Sequence, residues 1–333
     1  MSPSARSPRD LKVLFTSAFR APFIDDDLIS LKALYSVREL TGHGVKQAWR
    51  IFRDVFRSDL LFCWFGSVYA GVGVFAARIA GIPSIIVVAG VDAAKDPDLD
   101  YGIWLSPWRS KFVRYAVVHA THVLVVDPSL KTALQHLAEY DGSNIRFLPS
   151  GYDPELWRPM GEKEREVLTV AVVRDQRNLR RKGIDVLIAA ARRIPEIPFT
   201  VIGVIPEISR TLDAPANMTF VAPIPRPELL PYYQRSKVYA QPSRREGLPN
   251  ALCEAMLAGC IPVVSDVNGN PTAAGDTGFV LETLTGEELA AGILRALMLG
   301  DEASARPRAR IVSVFSKEGR VSELRRLIES SAG

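Results

Sequence analysis

The chain has 333 residues, 47% of them hydrophobic and 23% charged. It is long enough for two α/β domains with separate cores, and its composition is that of an ordered globular protein rather than a disordered or fibrous one. A net charge of +4 suits an anionic small molecule or an anionic membrane surface and is too small an excess to argue for nucleic acid.

The polar opening segment (MSPSARSPRDLK) has no apolar stretch, so no export signal is expected. Cys63, Cys253 and Cys260 show no ligand or CxxC spacing, which fits buried thiols in a reducing compartment. The first half then alternates apolar runs with helical patterns. Strands are predicted at Leu11–Phe15, Leu60–Trp64, Ser84–Val88, His122–Val126 and Ile145–Leu148. Helices are predicted at 28–40, 45–57, 67–80 and 107–120, with another opened by Pro128-Ser129. Continuous apolar strands separated by helices indicate a parallel sheet covered on both faces. Residues 60–77 carry no charge and reach the roughly 18 residues a membrane span needs. Gly66, Ser67, Gly71 and Gly73 interrupt them, so a strand, a glycine turn and a buried helix are expected instead.

Pro149-Ser150-Gly151-Tyr152-Asp153-Pro154 reads as a linker. Alternation then restarts, with strands predicted at 167–173, 198–203, 218–221, 238–241, 261–264 and 278–281. Helices follow at 182–193, 226–235, 248–258, 286–299 and 317–330. Two doubly wound domains result, each with its ligand position at the carboxyl ends of its strands. The boundaries are 1–155 and 156–315, with 316–333 a terminal helix returning to the first domain.

The densest chemical signal is Pro242-Ser243-Arg244-Arg245-Glu246-Gly247-Leu248-Pro249-Asn250-Ala251-Leu252-Cys253-Glu254. A strand ends, a glycine turn follows, and Pro249 stands where a helix's first turn tolerates it. The amides of Asn250, Ala251 and Leu252 then have no intrahelical partner and offer an anion site. Glu254 lies about one turn deeper, where a carboxylate can accept two vicinal hydroxyls. A second signal is Arg174 at the end of the 167–173 strand, followed by a basic loop to Lys182-Gly183, which opens the next helix. Such cations can neutralise a diphosphate.

The string EGLPNALCEAMLAGCIPVVSD, with seven residues between its two glutamates, resembles family 4 of the retaining GT-B glycosyltransferases. Weaker similarities lie at Leu148–Asp153, Val126–Leu130 and Phe315–Glu318. The resemblance implies two Rossmann-like domains facing across a cleft and transfer of a hexosyl group, with retained configuration, from a nucleotide-diphosphate sugar. It implies a glycan, lipid-linked or small-molecule acceptor, and neither cofactor nor metal. By resemblance Glu254 holds the ribose, Glu246 the donor sugar, and the backbone of Gly247, Leu248, Pro249, Asn250, Ala251 and Leu252 the diphosphate. Arg174 and Lys182 meet the leaving group.

The chain departs from the pattern in its first half. Residues 17–27 lack the family's glycine pair, and Ala89 stands where the family has a histidine, in Ala89-Gly90-Val91-Asp92. Thr272 stands where a glutamate is usual. Asp92 either positions a sugar or acceptor hydroxyl or caps a turn. Asp25–Asp27 and Asp98–Asp100 have the form of a DxD metal motif without its strand context. His119 and His122 could share a helix face but have no third ligand. Trp108–Tyr115 mixes bases with aromatics and either leans on an anionic membrane or simply covers the sheet. A cytoplasmic enzyme, in contact with the inner face of the membrane, is the expectation. The rivals are a non-catalytic nucleotide-sugar-binding paralogue, a GT-B-type epimerase, and a two-lobed substrate-binding protein, which the absence of an export signal disfavours.

Overall fold

The computed structural model describes residues 10–332; the N-terminal segment read for an export signal lies, through residue 9, outside them. The chain divides into two compact units, one of residues 1–150 with 318–333 and one of residues 151–317.

In the first unit the order is β1 (Lys12–Ser17), α1 (Pro22–Leu34), β2 (Ser36–Thr41), α2 (Val45–Val55), β3 (Leu60–Trp64), α3 (Val68–Ala80), β4 (Ser84–Val88), α4 (Pro107–His119), β5 (His122–Val125), α5 (Pro128–Ala138) and β6 (Ile145–Phe147). The strands form one parallel sheet ordered β2-β1-β3-β4-β5-β6. Every residue of β3 and β4 is buried, as expected of strands covered on both sides. Ser67 caps α3 by accepting from the Ala70 amide, and Gly81 ends it in the left-handed conformation.

The 28–40 segment is not one helix. The helix starts earlier, at Pro22 in its first turn, and stops at Leu34; residues 36–41 form β2, an edge strand. None of its residues is fully buried, and Arg38 and Glu39 dilute its apolar content. An edge strand need bury only one side, so a search for continuous apolar runs passes over it. His119 and His122 likewise fall on different elements, the end of α4 and the start of β5.

The second unit runs β7 (Glu164–Val173), α6 (Gln176–Arg181), α7 (Ile184–Arg193), β8 (Phe199–Val204), α8 (Pro206–Ser209), β9 (Met218–Val221), α9 (Leu230–Arg235), β10 (Ser236–Gln241), α10 (Asn250–Leu257), β11 (Ile261–Ser265), α11 (Gly269–Ala274), β12 (Phe279–Leu281), α12 (Gly286–Met298) and α13 (Ala305–Val314). Its parallel sheet is ordered β12-β11-β10-β7-β8-β9. A core including Val167, Phe199, Val201, Val238, Ile261 and Val263 is packed under α7 and α12. The strand order reverses between β7 and β10, so their carboxyl ends flank the topological switch point where open α/β sheets bind ligands.

The last helix, α14 (Lys317–Ala332), belongs from residue 318 to the first unit. Arg320 fixes it there. Its guanidinium donates to both oxygens of Asp27 on α1, at 2.6 Å each, and to the carbonyls of Leu148 and Pro149. Asp25 pairs with Arg20. These two members of the DxD-like triplet therefore serve ion pairs around α1. The three cysteines are free and buried, and no described helix is long and apolar enough to cross a membrane.

Candidate functional site

Lys182 and Glu246 follow the two strands that flank the switch point of the second sheet. Glu246 is 8% exposed, and its Oε1 accepts from Lys182 Nζ at 2.6 Å, Ser243 Oγ at 2.6 Å and Gln241 Nε2 at 2.9 Å. Oε2 has no partner among the described residues. The Glu246 amide donates to Asn268 Oδ1. Burial works against the charge of Glu246, but Lys182, Arg181 and the Ser243 hydroxyl outweigh it and hold its pKa below the usual carboxylate range.

The stretch after Arg174 is not a loop. Asp175 accepts from the Asn178 amide and caps α6, a short helix ending at Lys182. Lys182 thus closes one helix instead of opening the next. Gly183 then turns at φ +68°, and a Cβ there would lie 1.8 Å from the Pro242 carbonyl oxygen. Only glycine permits both that conformation and that approach, and the approach carries Lys182 to Glu246. Arg244 laces the same corner: it pairs with both oxygens of Asp185 at 2.8 and 2.7 Å and donates to the Arg180 carbonyl. Arg174 is exposed, and its side chain has no ion-pair partner among the described residues.

Helix α10 begins at Asn250 with Pro249 as its cap, and the first i to i−4 bond runs from the Cys253 amide to the Pro249 carbonyl. The amides of Asn250, Ala251 and Leu252 therefore have no intrahelical acceptor. Gly247, Leu248 and Pro249 are buried. The Gly247 carbonyl accepts from the Gly269 amide, and the Asn250 side chain accepts from the Tyr152 hydroxyl at 2.8 Å. A fixed turn, free amides and an ammonium make an anion-binding corner.

Glu254 is buried at 3% exposure. Its Oε1 accepts from Arg226 Nε at 2.7 Å and its Oε2 from the Tyr233 hydroxyl at 3.2 Å. The Arg226 guanidinium also lies over the Trp157 ring, 5.3 Å from its centroid. Burial first, and the neighbouring Glu254 charge second, push the Tyr233 hydroxyl well above its ordinary pKa and keep it a donor.

Arg226, Tyr233, Gln241, Ser243 and Asn268 were not singled out by the sequence. Ser243 lies inside the motif, and Gln241 ends the strand before it. Arg226, Tyr233 and Asn268 come from separate elements, and nothing in their local sequence marks them.

Asp92 lies in the first unit, after β4. It is fully buried: Oδ2 accepts from the Gly66 amide at 2.9 Å, and Oδ1 from the Ala89 and Gly90 amides at 3.1 and 2.9 Å. It therefore caps the turn and ties it to the end of β3, the second of the two roles open to it. Burial raises its pKa to about 6 against the pull of those amides. Among the described residues no three His, Cys, Asp or Glu side chains gather as metal ligands.

Residues 165–298 match the family model described as "Glycosyl transferases group 1". This segment is similar to group 1 glycosyltransferases. The segment contains both sides of the switch point, from Arg174 and Lys182 to Glu246 and Glu254. Among solved structures, HepE of Anabaena in complex with UDP and glucose is 16% identical, with a TM-score of 0.77 over 96% of this chain and 100% of that one. Sucrose-phosphate synthase of Thermosynechococcus elongatus is 14% identical, with a TM-score of 0.75 over 96% and 98%. The catalytic domain of starch synthase IV from Arabidopsis thaliana, bound to ADP and acarbose, is 13% identical, with a TM-score of 0.70 over 97% and 99%. At such identities the likeness is one of fold: two Rossmann-like units of the GT-B class. No curated protein sequence matches the chain.

Proposed function

We propose that the protein is a retaining hexosyltransferase that uses a nucleotide-diphosphate sugar without a metal ion. The observation that carries this reading is the meeting of Lys182 and Glu246 at 2.6 Å, across the switch point and just ahead of the free amides of α10. The nucleotide of the donor lies with its ribose at Glu254 and its diphosphate at the amides of Gly247, Leu248, Asn250, Ala251 and Leu252, Pro249 having no N–H to offer. Lys182 has two further N–H donors for the diphosphate, and Arg174 adds an exposed charge. Glu246 offers Oε2 to a sugar hydroxyl.

As the bond from the anomeric carbon to the phosphate oxygen breaks, negative charge grows on the diphosphate. Lys182, Arg174 and the amides meet it without reorganising. The acceptor hydroxyl attacks on the same face, and its proton passes to a departing phosphate oxygen, so no protein base is needed. Asp92 supports this chemistry indirectly, by holding the turns after β3 and β4. The acceptor is a glycan, a lipid-linked sugar or a small molecule, met in the cytoplasm at the inner face of the membrane.

A thermal-shift screen of nucleotide sugars identifies the donor, since a ligand at 100-fold over its dissociation constant adds about 2.7 kcal/mol. With that donor, turnover in EDTA should equal turnover in Mg²⁺ or Mn²⁺. Activity lost in chelator and restored by a divalent ion would overturn the charge assignment. Binding of a donor without transfer to any acceptor would favour the non-catalytic reading, for which Ala89 in place of the family histidine is the specific motive.

A further inference from the structure

Helices α2, α3 and α4 lie side by side on one face of the first sheet. Each follows a strand that steps in the same direction along the order β2-β1-β3-β4-β5, and right-handed crossovers put all three on one side. α1 steps the other way and covers the opposite face, where Arg320 of α14 pairs with its Asp27. Contacts between α2 and α3 and between α3 and α4 close the layer. Gly71 allows the second of these, since a Cβ there would lie 2.8 Å from the Phe112 carbonyl oxygen.

The outer side of this layer is aromatic. On α2, Trp49 is 64% exposed and stacks on Phe52 at 5.9 Å; Phe52 meets Phe56, just past the helix, at 5.5 Å. This row at i, i+3 and i+7 is a helical stripe turned away from the core. On α4, Trp108 is 56% exposed and packs edge-on against Phe112. Between α3 and α4 runs an open groove of about 420 Å³, lined by Val72, Phe75, Phe112 and Tyr115, with Lys111 at its side.

The charge on the three helices has one sign. Lys46, Arg50 and Arg53 lie on α2, Arg78 on α3, and Arg109, Lys111 and Arg114 on α4. The sole acid in these helices, Asp54, is fully buried and paired with Arg38 and Arg53. Exposed indoles and phenyl rings among basic side chains, of which only Arg53 meets the one acid of these helices, complement a surface that is apolar beneath and anionic at its boundary.

We propose that the α2–α3–α4 face docks onto an anionic lipid bilayer, with Trp49, Phe56 and Trp108 entering the headgroup boundary and the basic side chains meeting lipid phosphates. This deepens the membrane contact within the proposed function and rests on none of its sugar chemistry.

The test is co-sedimentation of the full chain with vesicles. Binding is expected to phosphatidylglycerol–phosphatidylcholine vesicles, and little or none to phosphatidylcholine alone or in high salt. Trp49→Ser with Trp108→Ser should weaken it about tenfold or more. Arg50→Gln, Arg109→Gln and Lys111→Gln together should weaken it about 100-fold, at roughly fivefold per cation near the surface. Both variants alter exposed side chains only, so circular dichroism and nucleotide binding should be unchanged, which separates this claim from the donor-site reading. Failure of the wild-type chain to bind anionic vesicles, or equal binding by the variants, would refute the proposal. So would a concentration-dependent dimer that either variant abolishes, because the face would then join two copies of the chain.

Discussion

A lysine ammonium 2.6 Å from a carboxylate that is 8% exposed leaves an uncompensated charge if either partner is removed, at a cost of about 3–5 kcal/mol. Lys182→Ala should therefore act twice. It should lower kcat/KM about 10- to 150-fold by losing a phosphate contact of about 1.5–3 kcal/mol, and it should destabilise the second unit. Glu246→Gln added to Lys182→Ala should recover much of the stability and none of the activity. Denaturant titration and steady-state kinetics on both variants check this. Wild-type kinetics in Lys182→Ala would reduce the pair to a structural contact. Lys182, Glu246 and Glu254 were legible because one contiguous motif and one Lys-Gly step carry them. Arg226 and Tyr233 were not, because they precede Glu254 by 28 and 21 residues and only the fold returns them to it.

At the scale of elements, position within the sheet decided what the sequence revealed. β3 and β4 bury every residue and show as unbroken apolar runs. β2 pairs only with β1 and shows as a mixed segment easily continued from the helix before it. α6 was hidden for a different reason: a two-turn helix rich in arginine has the composition of a solvated loop, and only the Asp175 cap distinguishes it. The turn after it is strict. Gly183→Ala would place a methyl group against the Pro242 carbonyl oxygen in a left-handed backbone. A loss of at least about 2 kcal/mol is expected, with weakened nucleotide binding because Lys182 moves with the turn. An alanine variant of undiminished stability and affinity would show that the corner tolerates a shift.

At the scale of the whole molecule, the restart of strand–helix alternation after the Pro149–Pro154 linker marked two units, and the order reversal of each sheet is the feature that no local pattern carries. Reversal makes the ends of β7 and β10 neighbours and so turns two separate sequence signals into one site. The first unit carries a different signature, in pH. Asp92 holds its proton up to about pH 6 when folded, against an ordinary value of 3.8. Between those limits the folded chain binds a proton that the unfolded chain has released, so stability falls as pH rises from about 4 to 6. Relative to Asp92→Asn, wild type should lose about 3 kcal/mol across that window. Thermal melts of the two proteins at pH 4 and pH 7 check it, and parallel profiles would contradict the raised pKa.

In the proposed function a nucleoside diphosphate sits at the α10 end of the second unit, with ribose at Glu254 and the sugar at Glu246. Calorimetric titration of the donor's nucleoside diphosphate into wild type, Glu254→Ala and Glu246→Ala tests it most directly. Glu254→Ala should weaken binding by about 1.5–3 kcal/mol, as loss of a charged acceptor does. Glu246→Ala should not weaken diphosphate binding, since it leaves the whole Lys182 ammonium to the phosphates, while turnover collapses, because the Glu246 contact to the sugar strengthens only as the sugar gains positive charge. Equal weakening by both substitutions, or no effect of either, would contradict the account.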